Sequence, residues 1–272
     1  MYEDEIKEYD SLAKEYQSLI SDKFSREDFM EYNEILFSAH SCAIEGNSFT
    51  VDETRTLKEK GLGMIPQGKP LVEAFEMLDH FSAYEYMTTH LEGPLTEEYL
   101  KKIHSIITEH TIAYRHPGAI PGQYTNTDMC AGDTIFGDHK KLIARIPDLL
   151  HSTEDALKNG MHPMVVASIF HGYFEYLHPF RDGNGRIGRL LSNRILLQKG
   201  LPIVIIKNES RAEYIRCLKC IRTEGTQGYL VEFFFKCAVD RMKEEMAEKK
   251  NLTINFKKGF SDVIPELRKN NQ

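Results

Sequence analysis

A chain of 272 residues, 41% hydrophobic and 10% aromatic, can bury a substantial core in one large domain or two small ones, which excludes intrinsic disorder, collagen-like repeats and a disulfide scaffold. Its 34 Lys and Arg stand against 41 Asp and Glu, and a net charge of -7 leaves no overall positive field to gather nucleic acid or an anionic membrane. The first ten residues, Met1 to Asp10, are acidic where a secretory signal is basic and then apolar, so a cytoplasmic location is expected. Five irregularly spaced cysteines (Cys42, Cys130, Cys217, Cys220, Cys237) are too few for a disulfide framework and fit the same reducing compartment. Cys217-Leu-Lys-Cys220 has no second ligand pair near it in sequence and reads as two incidental thiols on a helix.

Apolar residues recur at Ile6, Tyr9, Leu12, Ala13, Tyr16, Leu19 and Ile20, the spacing of an amphipathic helix over residues 3–20. Ser25, followed by Asp28, caps a second helix running through Phe29, Tyr32, Leu36 and Ala39 to Ile44 and Glu45, with Gly46 and Asn47 as its stop. Thr50 and Glu53 form a capping box for a short third helix ending at Gly61. A loop rich in glycine and proline leads to a long helix from about Pro70 to His90, and Thr96 caps another to about Thr111. Helical periodicity vanishes between Tyr114 and Asp138. There, segments around Met129 to Gly132 and Thr134 to Phe136 are candidates for a hairpin. It returns over about 141–158, 163–176, 185–199, 208–223 and 226–249, and the helix from Pro163 is apolar almost all round, as a central buried element would be. The expected fold is all-α, mainly helical, with one small β-hairpin. A helical N-terminal extension occupies residues 1–69, a core domain residues 70–250, and a polar C-terminal tail residues 251–272.

One segment exceeds what a helical core needs: His178-Pro-Phe-Arg-Asp-Gly-Asn-Gly-Arg-Ile-Gly-Arg189. Gly183 and Gly185 let backbone amides approach a ligand at the mouth of a helix whose N-terminal N–H groups favour an anion, and Asn184 can add a side-chain donor. Arg186 and Arg189 lie one turn apart and are expected to project to one side as a clamp for further phosphates. Asp182 is a hard oxygen ligand suited to Mg²⁺ beside such a cradle. His178, with an ordinary pKa near ~6.5, can take a proton at neutral pH. Singly, these residues have ordinary explanations: a buried histidine, an Asp182–Arg186 helix pair, a glycine turn. Their concentration in twelve residues is what points to a site. Arg189 has no acidic neighbour one turn away, so a buried guanidinium there needs a counter-charge from a ligand or from distant sequence. The literal Gly183-Asn-Gly185-Arg-Ile-Gly188 is not read as a dinucleotide fingerprint, because no apolar strand precedes it.

The segment resembles the signature of the Fic family, His-Pro-Phe-x-Asp/Glu-Gly-Asn-Gly-Arg-x-x-Arg, at every specified position, and the resemblance extends over roughly residues 70–240. It implies a mainly helical fold and transfer of AMP from ATP to a hydroxyl on a target protein. On that analogy His178 is the general base and Asp182 holds Mg²⁺. Gly183, Asn184 and Gly185 cradle the phosphates, and Arg186 and Arg189 fix the β- and γ-phosphates. Upstream, Ser41-Cys-Ala-Ile-Glu45-Gly46 is similar to the family's inhibitory pattern, which implies that Glu45 pairs with Arg189 at rest and blocks the γ-phosphate. The hairpin resembles the family's target-docking flap, although Thr125 stands where arginine often follows the tyrosine; Tyr214, in Arg211-Ala-Glu-Tyr214, resembles a contact to the adenine. The expected partners are ATP, Mg²⁺ and a protein hydroxyl of unknown identity, the chain itself included, without nucleic acid or membrane. A homodimer is compatible with the sequence, which marks no interface for it. Transfer of another nucleotide, removal of AMP with Glu45 positioning water, and a non-catalytic nucleotide-binding scaffold are the alternatives.

Overall fold

A computed structural model describes residues 2–131 and 134–269, with the backbone alone described for residues 131, 134 and 251–269. Twelve α-helices follow one another among the described residues, and the β-structure is one two-stranded antiparallel sheet. The helices are α1 (Glu3–Leu19), α2 (Arg26–Ile44), α3 (Val51–Lys60), α4 (Leu71–Thr89), α5 (Glu97–Ile107) and α6 (Ile112–Arg115). After strands β1 (Met129–Ala131) and β2 (Thr134–Gly137) come α7 (His139–Ile143), α8 (Ile146–Lys158), α9 (Pro163–Leu177), α10 (Asn184–Gln198), α11 (Arg211–Glu224) and α12 (Gly228–Lys269).

Local chemistry sets most of these boundaries. Ser25 Oγ accepts from Asp28 N at 3.0 Å, and Thr50 and Glu53 satisfy each other's backbone N–H groups in a complete capping box. Thr96 caps α5 through Tyr99 N. Three expected helices differ. The helix from Thr96 stops at Ile107, and a separate turn, α6, follows. The helix expected from about Lys141 is broken at Ala144 and Arg145, because Pro147 has no N–H to extend the ladder of α7 and instead opens α8. Finally, α12 runs past Lys249, where residues 243–258 contain no glycine or proline and are rich in helix-forming Lys and Glu, and continues to Lys269 through Gly259 and Pro265, which helix propensity does not explain; residues 270–272 of the expected tail, and Gly132 of the expected strand, lie outside the described residues.

The core is centred on α9 and α10, which pack on each other, with α8, α11 and α12 against α9 and α4, α5 and α2 against α10. Phe170, Phe174, Leu177, Ile187, Leu190 and Leu191 are buried at this contact. The extension is divided: α1 lies on α12, and Tyr9, Tyr16, Phe37 and Ile44 join the main core, while Leu57 of α3 belongs to a smaller cluster with Cys42, Phe49, Ala74, Met77 and Phe81. All five cysteines are free, and no helix among the described residues is long and apolar enough to cross a membrane.

Candidate functional site

The C-terminus of α9 and the N-terminus of α10 are joined by a six-residue turn, and this turn carries the unusual segment. His178 closes α9 in the left-handed region (φ 46°, ψ 58°), one of two non-glycine residues with positive φ among the described residues, so its backbone is held in a disfavoured conformation where the chain changes direction. Gly183 follows at φ 79° as the N-cap of α10 and has no side chain with which to cap it, which leaves the first amides of a fifteen-residue helix without a side-chain acceptor. Asn184 braces the turn: its Oδ1 accepts from Phe180 N at 3.0 Å and its Nδ2 donates to Phe180 O at 2.8 Å. The expected role of Asn184 as a donor to a ligand is therefore corrected, because its amide is buried and spent on Phe180. The ring of Phe180 is fixed in turn by stacking on His104 at 3.9 Å, and His104 Nδ1 accepts from Gly122 N.

Arg186 and Arg189 do not form one clamp. Arg186 is 1% exposed and points to Glu76 of α4, at 2.7 Å, and to Asp182, at 3.3 Å, so the ordinary Asp182–Arg186 pair is present, while its Nε and Nη1 have no hydrogen-bond partner. Glu76 also pairs with Arg115 of α6 at 2.7 Å and accepts from Asn47 just beyond α2, making it the acidic centre of a buried network. Arg189 turns instead toward α2. Its Nε donates to Ser41 Oγ at 3.0 Å, and its Nη2 to Ser41 O at 2.8 Å and to Glu45 Oε1 at 2.7 Å. The counter-charge missing around Arg189 in sequence is thus Glu45, 144 residues away. The Glu45 carboxylate also rests on Gly185 so closely that a Cβ there would fall inside its van der Waals radius. Glu45 occupies the mouth of α10, where the helix dipole favours a negative charge.

Tyr214 is placed differently from the expected adenine contact. It is 1% exposed, its hydroxyl lies 2.6 Å from His171 Nε2 and accepts from Arg189 Nη1 at 3.3 Å, so it supports Arg189 from below and offers no open ring face to a base.

His178 is covered by the hairpin. Register Met129↔Gly137 and Cys130↔Ile135 leaves Phe136 as the extra residue of a bulge, and Phe136 stacks on the imidazole at 3.9 Å. Arg222 of α11 lies over the Phe136 ring, 4.2 Å from its centroid, and donates to the Glu175 and Tyr176 carbonyls near the end of α9. Burial first, and Arg222 second, push the His178 pKa down to about 3, so the imidazole is neutral at pH 7. The hairpin is anchored to the turn through Thr125, whose N–H donates to Pro179 O at 2.8 Å, and through Arg181, which reaches Met129 Sδ. Thr125 therefore takes a structural role that its main chain supplies.

The residues fit a divalent cation at Asp182. Its Oδ1 is taken by Gly183 N and Arg186, whereas Oδ2 is buried without a hydrogen-bond partner, with Arg115 Nη1 3.7 Å away. Burial is outweighed by Arg186 and Arg115, which hold the carboxyl below the usual range and keep it ionised. Glu76, Arg115, Phe136 and Glu175 were not singled out by sequence. For Glu76 and Glu175 the signal was present as charges at helical spacing inside otherwise apolar helices; for Arg115 and Phe136, in the irregular stretch around the hairpin, there was none.

Residues 94–196 match the Fic/DOC family. The chain is 33% identical over 202 residues to the protein adenylyltransferase Fic of Drosophila grimshawi, covering 73% of this chain and 40% of that protein. It is 34% identical over 185 residues to the protein of the same name from Nematostella vectensis, with 66% and 41% covered. The chain thus spans about two fifths of the length of these curated relatives. A Fic domain containing signaling protein from Bacteroides thetaiotaomicron has the same fold, with a TM-score of 0.76 at 23% identity over 90% of this chain and 97% of that one. A helical unit built around the turn from His178 to Arg189, matched in sequence across that turn and in fold across nearly the whole chain, places this protein in the Fic/DOC family.

Proposed function

We propose that the protein is a protein adenylyltransferase, transferring AMP from ATP to a hydroxyl side chain of a target protein, and that Glu45 holds it in a restrained state. The relatives' name supports the reaction class, and the direct pairing of Glu45 with Arg189 at the mouth of α10 is the observation that carries the restraint. In this reading the triphosphate lies along the amides that open α10, and Arg189, released from Glu45, binds its terminal phosphate. Bound at Asp182, Mg²⁺ would supply charge neutralisation across the phosphates. The target hydroxyl attacks the α-phosphorus and its proton passes to neutral His178; the bond to pyrophosphate breaks as the new P–O bond forms, so the protein contributes alignment, a proton acceptor and fixed positive charge. Glu45 stands where the terminal phosphate would, which keeps ATP from the productive pose.

The test is labelling with ATP radiolabelled at the α-phosphorus and Mg²⁺, on the protein itself and on cell extract. Glu45→Gly removes a charge-assisted hydrogen bond of about 1.5–3 kcal/mol that competes with the nucleotide and is expected to raise labelling by ~10-fold or more. His178→Ala in the same background is expected to abolish it. Label that does not respond to Glu45→Gly in a folded protein rejects the restraint, and GTP, CTP and UTP in parallel read the nucleotide preference. Loss of label from a pre-modified target, dependent on Glu45, would instead favour AMP removal.

A further inference from the structure

The apolar helix α9 carries an interior polar pair, His171 and Glu175, four residues apart on one face, and His178 follows as its C-cap. Its hydrogen-bond directions can be worked out from one end. Arg189 has only donors, so when Tyr214 accepts from Arg189 Nη1, the Tyr214 proton is free to go to His171 Nε2. Burial holds His171 neutral, with its pKa pushed down to about 3. A neutral imidazole that accepts at Nε2 carries its proton on Nδ1. That Nδ1 has no hydrogen-bond partner, and neither has Glu175 Oε1. Both atoms rest against Gly188, where a Cβ would come within 2.7 Å of the first and 3.2 Å of the second. The other carboxylate oxygen, Glu175 Oε2, lies 3.9 Å from His178 Nδ1, a third buried atom without a partner. The carboxylate therefore lies closer to the inner nitrogen of His178 than to that of His171, and the Glu175 main-chain carbonyl is the other acceptor beside His178.

We propose that Glu175 is a positioning residue for His178: its carboxylate accepts the Nδ1–H of His178 through Oε2. This leaves the Nε2 lone pair of His178 for the incoming hydroxyl. The inference rests on the reading of His178 as the proton acceptor. The separation of 3.9 Å exceeds a normal N–H···O distance by about 1 Å, which a small turn of the ring beneath Phe136 closes, and such contacts tighten when substrate is bound. The charged groups around Glu175 are Glu45 on α2, Arg189 on α10 and Arg222 on α11.

The test uses the full chain labelled with ¹⁵N-histidine, with His178 assigned by the signals lost in His178→Asn. The wild type is expected to show His178 protonated at Nδ1 and bare at Nε2. Glu175→Leu, which removes the acceptor at similar volume, is expected to shift the tautomer balance, and Glu175→Gln, which keeps a carbonyl acceptor, to preserve it. In the Glu45→Gly background, Glu175→Leu should lower kcat for labelling about ten- to a hundredfold, part of the ~10²–10⁴ that a general base supplies, with KM for ATP within about twofold; Glu175→Gln should recover kcat to within about threefold. A wild-type spectrum with the His178 proton on Nε2 overturns the proposal without any variant. So does a Glu175→Leu kcat within about twofold of its parent, which would assign the positioning to the Glu175 main-chain carbonyl that every variant retains. If Glu45→Gly labels nothing, the enzymatic reading fails on its own, and the spectra still decide the placement of the His178 proton.

Discussion

Arg189 Nη2 donates to Glu45 Oε1 across 2.7 Å, and the carboxylate held in this way lies on Gly185 at the opening of α10. A single anion thus meets both positive features of the mouth, the guanidinium and the helix dipole. Whatever anion replaces Glu45 must use the same two. Gly185→Ala puts a methyl group into this seat. The Glu45 carboxylate can swing away, being the end of a flexible side chain, but the methyl group then stands where a phosphate would. Glu45→Gly and Gly185→Ala therefore both break the pair with opposite results: the first is expected to raise nucleotide binding and labelling, the second to leave labelling at or below wild type and to weaken ATP binding by about tenfold relative to Glu45→Gly. Isothermal titration with ATP distinguishes them. A Gly185→Ala variant as active as Glu45→Gly would show that the nucleotide does not use this seat.

Ser41 contributes through both its hydroxyl and its carbonyl, accepting from Arg189 Nε at 3.0 Å and Nη2 at 2.8 Å. Ser41→Ala removes only the first. Its loss leaves a buried donor on Arg189 unpaired in the restrained state, at a cost of about 1–2 kcal/mol, so labelling is expected to rise severalfold, less than in Glu45→Gly. An increase equal to that of Glu45→Gly would mean that helix packing, and not the Glu45 charge, supplies the restraint.

Glu76 is the residue on which the rest of the site depends structurally. It is 1% exposed and balances Arg186 and Arg115 at once. Glu76→Gln keeps the shape but leaves two guanidinium groups with Asp182 as their remaining carboxylate, so Asp182 Oδ2 is drawn toward Arg115 and away from any cation. Breaking a buried pair from one side costs about 3–5 kcal/mol, and urea unfolding is expected to show a loss of that order. Apparent Mg²⁺ affinity, read by titration of nucleotide binding, should fall in parallel. A destabilisation under about 1 kcal/mol would place the charge balance elsewhere.

Local signals made the helices legible: Ser25, Thr50 and Thr96 all cap where their sequence patterns place them, and the apolar run from Pro163 is the buried α9. The turn from His178 to Arg189 was legible because its residue types are wrong for a core; a buried charge at Arg189 required a partner, and the resemblance to the family's inhibitory pattern is what named Glu45. Helical spacing could not reveal where Arg186 points. One turn apart on a helix means a shared face only until each side chain finds its own partner, and Glu76, 110 residues away, was invisible as such a partner. The same limit applies to Asn184 and Tyr214, whose polar atoms serve their own fold. Phe136 reaches His178 through a bulge, and one extra residue in a strand leaves no periodic trace in a segment this short.

The buried histidines make the fold acid-sensitive. Burial is the main cause in each case: His104, His171 and His178 are pushed down to about 3 and His80 well below its ordinary value, against ~6.5 in an unfolded chain. Below pH ~6.5 the unfolded state therefore binds protons that the folded state refuses, so the unfolded state is favoured increasingly as pH falls from ~6.5 toward ~3. Glu175 works in the opposite sense. Burial and Glu45 raise it to about 7, so between ~4.5 and ~7 the folded state retains a proton that the unfolded state has lost, and this group adds stability as pH falls through that window. For these five groups the balance between pH 6 and 5 is about three protons, or at most ~4 kcal/mol lost per pH unit. Urea unfolding at pH 7.5, 6.5 and 5.5 measures this directly. His104→Gln, which keeps an acceptor for Gly122 N, is expected to shed about 1.4 kcal/mol per pH unit of the loss, whereas Glu175→Gln should steepen it by a similar amount. Equal stability at pH 7.5 and 5.5 would mean that these histidines take up protons in the folded state. The neutral imidazole required of His178 would then be lost at mildly acid pH.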